Sequence, residues 1–287
     1  VSDGEDVLIG GIMEHVETAG VHSGDSSVAI PPQSLGRDVN RRIREVVEDI
    51  ADALDTVGLL NVQLAVQDDT VYVLEANPRS SRTVPFVSKA TGVPIAKVAA
   101  KVMAGVTLDE LGVSEMVPES VSIKEVVLPF DRLPGSDPRL GPEMKSTGEV
   151  MGTAATFGKA YQKAQMAVGK PIPLEGTALV DLSDDEFPDP ESEAGKELVE
   201  GFAKHFALMD FSDEERFKEA IREDEIDLII SRSEEPLRVA VEEKITYFST
   251  YPSAKAALDA VESADEPLDV ESIQRRNKRE EYWGQPR

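Results

Sequence analysis

Polar and apolar positions alternate through Asn61-Val62-Gln63-Leu64-Ala65-Val66-Gln67, and again through Val71-Tyr72-Val73-Leu74-Glu75-Ala76-Asn77. Two such runs around Asp68, Asp69 and Thr70 predict a β-hairpin. A loop made of those three residues pairs Gln67 with Val71, Ala65 with Val73 and Gln63 with Glu75, and opposed residues share one face. Asn77, two positions further on, joins that face. The other face collects Val62, Leu64, Val66, Tyr72, Leu74 and Ala76 and is expected to be core.

Elsewhere the apolar spacing is helical. Residues 34–57 place Ile43, Val46, Val47, Ile50, Ala53, Leu54 and Val57 on one side, with Ser34 as the expected cap and Gly58 as the stop. A second helix is expected from Ile95 to Met103 and another over 156–168. Residues 7–13 form an apolar run with two glycines, read as a buried strand whose backbone approaches a neighbour closely. Residues 117–152 read as short strands and tight turns, and Gly169 to Pro173 reads as a linker. Beyond it the pattern becomes strand (177–182), helix (192–206), helix (213–222), strand (226–231), strand (245–249) and helix (253–261). That alternation predicts a parallel sheet with flanking helices.

Composition changes the picture in two ways. The 287 residues carry a formal net charge of −25, from 55 acidic against 30 basic side chains, and a field of that sign repels nucleic acid and anionic membranes. The surplus is spread along the whole chain, the pattern of a protein kept soluble at high salt; an unusually acidic mesophilic protein is the alternative. There is no cysteine, which excludes disulfides, thiolate nucleophiles and zinc–thiolate sites. No apolar run approaches the roughly 20 residues that span a bilayer, and no secretory pattern opens the chain. A cytoplasmic protein is expected.

The polar face of the hairpin suits a hard divalent cation. Glu75 offers charged oxygen, Gln63 and Asn77 offer neutral amide oxygen, and Mg²⁺ favours one or two protein carboxylates with water and phosphate completing its shell. Pro78 ends strand pairing, after which Arg79 and Arg82 are placed to meet anionic oxygens. Spacing alone fits a half-exposed hairpin with ordinary polar residues equally well. Two of the three histidines, His15 and His22, fall close together, and by spacing they read as hydrogen-bonded loop residues. The arginines Arg37, Arg41, Arg42 and Arg44 interleave with Glu45, Glu48 and Asp49, as on a solvated helix face. Lys124 and Lys145 are left out of the site.

Leu74-Glu75-Ala76-Asn77-Pro78-Arg79 and the following Ser80 to Pro94 closely resemble the second ATP-grasp half of the carbamoyl-phosphate synthase large subunit. So do Gly10-Gly11-Ile12-Met13-Glu14-His15, His22-Ser23-Gly24-Asp25-Ser26 and Leu140 to Gly152. Several long motifs in the same order are far more specific than one. The resemblance implies an α/β and α+β chain. Residues 1–170 would be part of an ATP-grasp domain, an antiparallel sheet with helices. Residues 171–265 would be a small parallel-sheet domain similar to methylglyoxal synthase. Composition, not resemblance, makes 266–287 a charged tail, in which Arg275, Arg276, Lys278, Arg279, Tyr282 and Trp283 stand out.

The implied activity is phosphorylation of carbamate by ATP, within synthesis of carbamoyl phosphate from bicarbonate, ammonia and two ATP. The resemblance assigns Gln63, Glu75 and Asn77 to Mg²⁺ or Mn²⁺. It places His22, Ser23 and Gly24, with Gln63 and Glu75, against the nucleotide, and gives Arg79 and Arg82 the transferred group. The stretch from His15 to Val21 is associated with a potassium site. Implied partners are a glutaminase small subunit and a preceding part of the large chain, since Val1 falls in the midst of family-like sequence; a homo-oligomer is left open. The fragment alone is expected to be inactive. The likeness weakens past 170: Met209-Asp210-Phe211-Ser212 stands where the family has a Thr-rich phosphate loop, and Ser231-Arg232-Ser233 where it has an Asn-Thr-Thr-like strand end. Another ATP-grasp carboxylate or bicarbonate ligase, and a non-catalytic assembly module, are the competing readings.

Overall fold

The computed structural model describes residues 1–133, 135–212, 214–264 and 268–275. The tail residues Arg276, Lys278, Arg279, Tyr282 and Trp283 lie outside them. The chain divides into two compact units: one takes Val1–Glu14, Ile30–Glu119 and 269–275, the other His15–Ala29 and Ser120–Leu268. The fold class is mixed α/β, as expected, with antiparallel pairings and one parallel sheet.

In the first unit the long helix is Arg37–Ala53, capped by Gly36. Ser34 is not its cap: the Ser34 hydroxyl and N–H both donate to the Glu14 carboxylate, and the cap position falls at Gly36. Nor is Gly58 its stop: the helix ends where Asp55 turns to φ 46°, and Gly58 belongs to a short strand paired antiparallel with Ser2–Asp3. The buried stripe is Val39, Ile43 and Ala51, while Leu54 and Val57 are exposed. Helices Val84–Thr91 and Ile95–Met103 complete the core through Phe86, Val87, Ala90, Ile95, Val98, Ala99 and Val102.

The apolar run 7–13 is not a strand; among the described residues its pairing is limited to an isolated bridge between Val7 and Ser2. Its glycines do sit against neighbours, since a Cβ on Gly10 would lie 2.7 Å from the Ile95 side chain and one on Gly11 2.7 Å from that of Ile30. Close packing of an irregular segment, rather than pairing, is what the glycines permit.

Most of a four-stranded sheet belongs to the second unit, in the order Glu14–His15, Val28–Ile30, Val121–Val127, Gly148–Ala154. Helix Phe157–Ala167 lies so close to it that a Cβ on Gly152 would come 2.3 Å from the Ala160 carbonyl oxygen. The expected parallel sheet is present, ordered Phe206–Met209, Gly176–Val180, Leu228–Ile230, Thr246–Phe248. The stretch read as helix to Phe206 stops at Ala203, and the edge strand follows. Helix Glu234–Glu243 was not foreseen. One continuous core joins Ile123, Tyr161 and Ala164 to Phe202, Leu228, Phe248 and Ala257. The stretch read as a linker is packed too, with Ile172 4% exposed.

Candidate functional site

The hairpin forms with a different turn. Asp68 and Asp69 make a two-residue loop, both at positive φ (50° and 59°), the mirror-image turn whose twist matches paired strands. Gln67 therefore faces Thr70, Val66 faces Val71, Ala65 faces Tyr72 and Leu64 faces Val73. This register would separate Gln63 from Glu75, but it shifts between Gln63 and Leu64, and Leu74 is left without a partner. Such a bulge advances one strand by a residue. The result is the expected pairing of Gln63 with Glu75, followed by Asn61 with Asn77.

Two expectations about the faces fail. Tyr72 pairs with Ala65, on the Gln63 side of its strand, so it does not belong with Val62 and Leu64. The apolar face is not core either: Val66, Val73 and Leu74 are all exposed, Leu74 by 55%.

On the polar face the Asn77 side-chain amide donates to Glu75 Oε1 at 2.8 Å. With the amide nitrogen so engaged, the amide oxygen is the side-chain acceptor of Asn77, and a set of one carboxylate and two carboxamide oxygens suits a divalent ion. Asn61 joins this face through its pairing with Asn77. Sequence reasoning missed it, although the pairing sum that relates 63 to 75 also relates 61 to 77. Among the described residues no group of three His, Cys, Asp or Glu side chains is placed to hold a metal, so amide oxygens carry most of this donor set.

Past Pro78 the chain turns sharply: Arg79 N–H donates to the Asn77 carbonyl at 2.8 Å, and its guanidinium to the Ser80 carbonyl at 2.9 Å. Ser81 and Thr83 hydroxyls bond each other at 2.7 Å just before helix Val84–Thr91. Arg79 and Arg82 are exposed.

His22, Ser23 and Gly24 belong to the second unit. Asp25, 1% exposed, accepts from the backbone N–H groups of Lys145 (2.7 Å) and Ser146 (2.8 Å). The Ser146 hydroxyl donates to the Gly24 carbonyl at 2.8 Å, and His22 N–H to the Gly141 carbonyl at 2.8 Å. Gly24 N–H donates to His22 Nδ1 at 3.0 Å, leaving Nε2 as the ring atom open to a ligand. Thus the 141–146 stretch fixes the 22–25 loop. Lys124, left out of the expected site, is 1% exposed and reaches the Ser23 carbonyl at 3.4 Å.

The same unit contains a polar cluster that sequence reasoning missed. Glu17 accepts from Ser26 Oγ (2.6 Å) and Ser27 N (2.7 Å), and Glu125 from Ser27 Oγ (2.6 Å) and Gln165 Nε2 (3.0 Å). Burial and the neighbouring Glu125 push the Glu17 carboxyl up to about 7, and burial raises Glu125 as well. Burial, with Lys124 adding to it, lowers His15 to about 4. Glu125 sits in an otherwise ordinary β-like run, so nothing local marked it.

With this geometry in place, comparisons define the protein class. Residues 1–111 match the family described as "Carbamoyl-phosphate synthase L chain, ATP binding domain", a span that holds Gln63, Glu75, Asn77, Arg79 and Arg82. The chain is 58% identical over 285 residues to the carbamoyl phosphate synthase large chain of Halobacterium salinarum, covering 99% of this chain and 26% of that one. It is 46% identical over 307 residues to a large chain from Methanosarcina barkeri, covering 97% of this chain and 77% of the other. A biotin carboxylase domain of a single-chain bacterial carboxylase superposes with a TM-score of 0.48 at 16% identity, over 58% of this chain and 45% of that one. The chain belongs to the carbamoyl phosphate synthase large chain family. It spans about a quarter of the length of the first curated relatives it matches.

Proposed function

We propose that this chain carries the metal-holding part of the ATP site that phosphorylates carbamate. In that step a carbamate oxygen attacks the γ-phosphorus of ATP, the bond to the β-phosphate oxygen breaks, and ADP leaves with the electron pair. Phosphoryl transfer demands positioning and charge neutralisation more than a protein nucleophile, which suits a chain without cysteine. Gln63, Glu75 and Asn77 would hold one or two Mg²⁺ or Mn²⁺ ions, whose contribution is to neutralise the phosphate oxygens. Arg79 and Arg82 would steady the transferred group and the carbamate. His22, Ser23 and Gly24 would contact the nucleotide, and a potassium ion would lie by the stretch from His15 to Val21.

The observation that carries this reading is the cross-strand pairing of Gln63 with Glu75, with Asn77 bonded to the same carboxylate, inside the matched ATP-binding span. The share of its relatives' length supports a further reading, in which the remaining nucleotide contacts would come from another part of the large chain; ammonia would come from a glutaminase small subunit. Residues 171–265 would act as the regulatory domain similar to methylglyoxal synthase, a reading their parallel sheet supports. The acidic surplus and the 58%-identical Halobacterium chain support a protein adapted to high salt.

Calorimetric titration of the isolated chain with ATP in MgCl₂ and in EDTA tests the proposal. Mg²⁺-dependent binding without ATP turnover is expected. Metal-independent binding would remove the hairpin from the site, and turnover by the chain alone would show that no preceding segment is needed.

A further inference from the structure

Residues 135–147 of the second unit form neither helix nor strand, so no ladder of backbone pairing sets their course and tethers must. One tether comes from within the segment. The Lys145 ammonium donates to the Arg139 carbonyl at 2.8 Å and to the Asp137 carbonyl at 3.1 Å, while the Arg139 guanidinium holds the Asp137 carboxylate through Nε (2.9 Å) and Nη2 (3.0 Å). Bonds donated by an ammonium are roughly twice as strong as neutral ones, and these two close residues 137–145 into a ring. Gly141, inside that ring, offers its carbonyl to the His22 N–H at 2.8 Å. Ser146, the residue after the closing lysine, donates its hydroxyl to the Gly24 carbonyl at 2.8 Å. The 22–24 loop is thus held at both ends by the segment that Lys145 closes, and the bond from Gly24 N–H to His22 Nδ1 leaves Nε2 as the ring's remaining polar atom.

We infer that Lys145 is a positioning residue for the nucleotide: its ammonium, by closing residues 137–145, sets the Gly141 carbonyl and through it the placement of the His22 ring. The role is exerted through the backbone rather than on the ligand. It rests on the reading that His22, Ser23 and Gly24 contact the nucleotide. Sequence spacing did not mark Lys145, because its acceptors are main-chain carbonyls that any residue type supplies.

Lys145→Met keeps the apolar stem and removes the donors. Titrated calorimetrically with ATP in MgCl₂, it should bind about tenfold more weakly than the wild type, the equivalent of about one charge-assisted hydrogen bond. Lys145→Arg should regain most of that loss, and Lys204→Met, at an exposed lysine of the same unit, should keep wild-type affinity. A second readout separates positioning from general stability: without nucleotide, the His22 amide should exchange faster in Lys145→Met, while that of Ile229, in the parallel sheet, keeps its wild-type protection. Wild-type affinity in Lys145→Met, or an unchanged His22 exchange rate, would overturn the inference and leave the nucleotide reading in place. A wild type that binds no ATP would overturn that reading, and the inference with it. Should Lys145→Met fail to fold, Lys145→Gln, whose shorter neutral amide keeps a donor, is judged by the same two measurements.

Discussion

The Asn77 amide donates to Glu75 Oε1 across 2.8 Å, two residues apart on one face of a strand. On the proposed reading, that carboxylate and the Asn77 amide oxygen serve one cation. Removing either should reduce Mg²⁺-dependent nucleotide binding by about 10–100-fold, the usual cost of losing a metal-site partner. Glu75→Gln and Asn77→Ala titrations, with circular dichroism to show that the fold persists, check this. Unchanged affinity in both would discard that reading.

A second relationship predicts a pH effect. Asp181 is 9% exposed and accepts from Ser231 Oγ (2.8 Å), Ser233 Oγ (2.5 Å) and Ser183 N (3.1 Å). Burial alone would raise its pKa, but these donors outweigh it and hold the carboxyl below its ordinary value. A carboxyl depressed by folding adds stability that is complete above the unfolded value near 4 and is lost as pH falls through the lower folded value. Asp181→Asn should therefore cost about 1–3 kcal/mol at neutral pH, with the gap to wild type closing in acid. Denaturant melts at a series of pH values measure it; a gap that stays constant into acid contradicts the assignment.

Gly158 shows how tightly the second unit's helices pack. A Cβ there would lie 2.2 Å from the Asp259 carbonyl oxygen, in helix Tyr251–Glu262. Backbone cannot retreat as a side-chain tip does, so Gly158→Ala should destabilise by about 1–3 kcal/mol through overpacking. Chemical denaturation should show a lower midpoint, and an unchanged one would mean that the helices part easily.

At the hairpin turn, Asp68 and Asp69 both adopt left-handed backbone. Glycine adopts it without strain, and Asp-Gly is favoured in this turn. Asp69→Gly should raise stability modestly, by about 0.5 kcal/mol, and sharpen amide-exchange protection across the hairpin. Weaker protection would imply that the Asp69 side chain holds the loop.

The charge surplus sets the expected response to salt. With a net charge of −25, self-repulsion opposes compaction and is screened over a length that shrinks from about 10 Å at 0.1 M salt to about 3 Å at 1 M. The melting temperature should climb steadily with KCl. A flat profile would favour the acidic mesophilic alternative.

Much of the fold was legible because period-two and helical spacing are local signals. Helix Ile95–Met103 and the parallel sheet follow from them directly. The run 7–13 misled because an apolar stretch with glycines looks the same whether it pairs as a strand or packs as irregular chain. The hairpin is more instructive: its Gln63–Glu75 pairing was anticipated from a three-residue loop, while the structure reaches it through a two-residue turn and a bulge at Leu74. Two different backbones share that register, and alternation alone does not distinguish them.

By itself the sequence determined the family, the acidic character and the residue types of the proposed donor trio, since motif, charge and residue type are properties of the chain read in order. Tertiary structure decided that the hairpin's apolar face stays exposed, that Asp25 fixes the 22–25 loop through residues 145 and 146, and that Glu17, Glu125 and Lys170 line one cavity. These depend on groups up to 153 positions apart, the separation of Glu17 from Lys170, and no local spacing records which distant side chains burial will bring together.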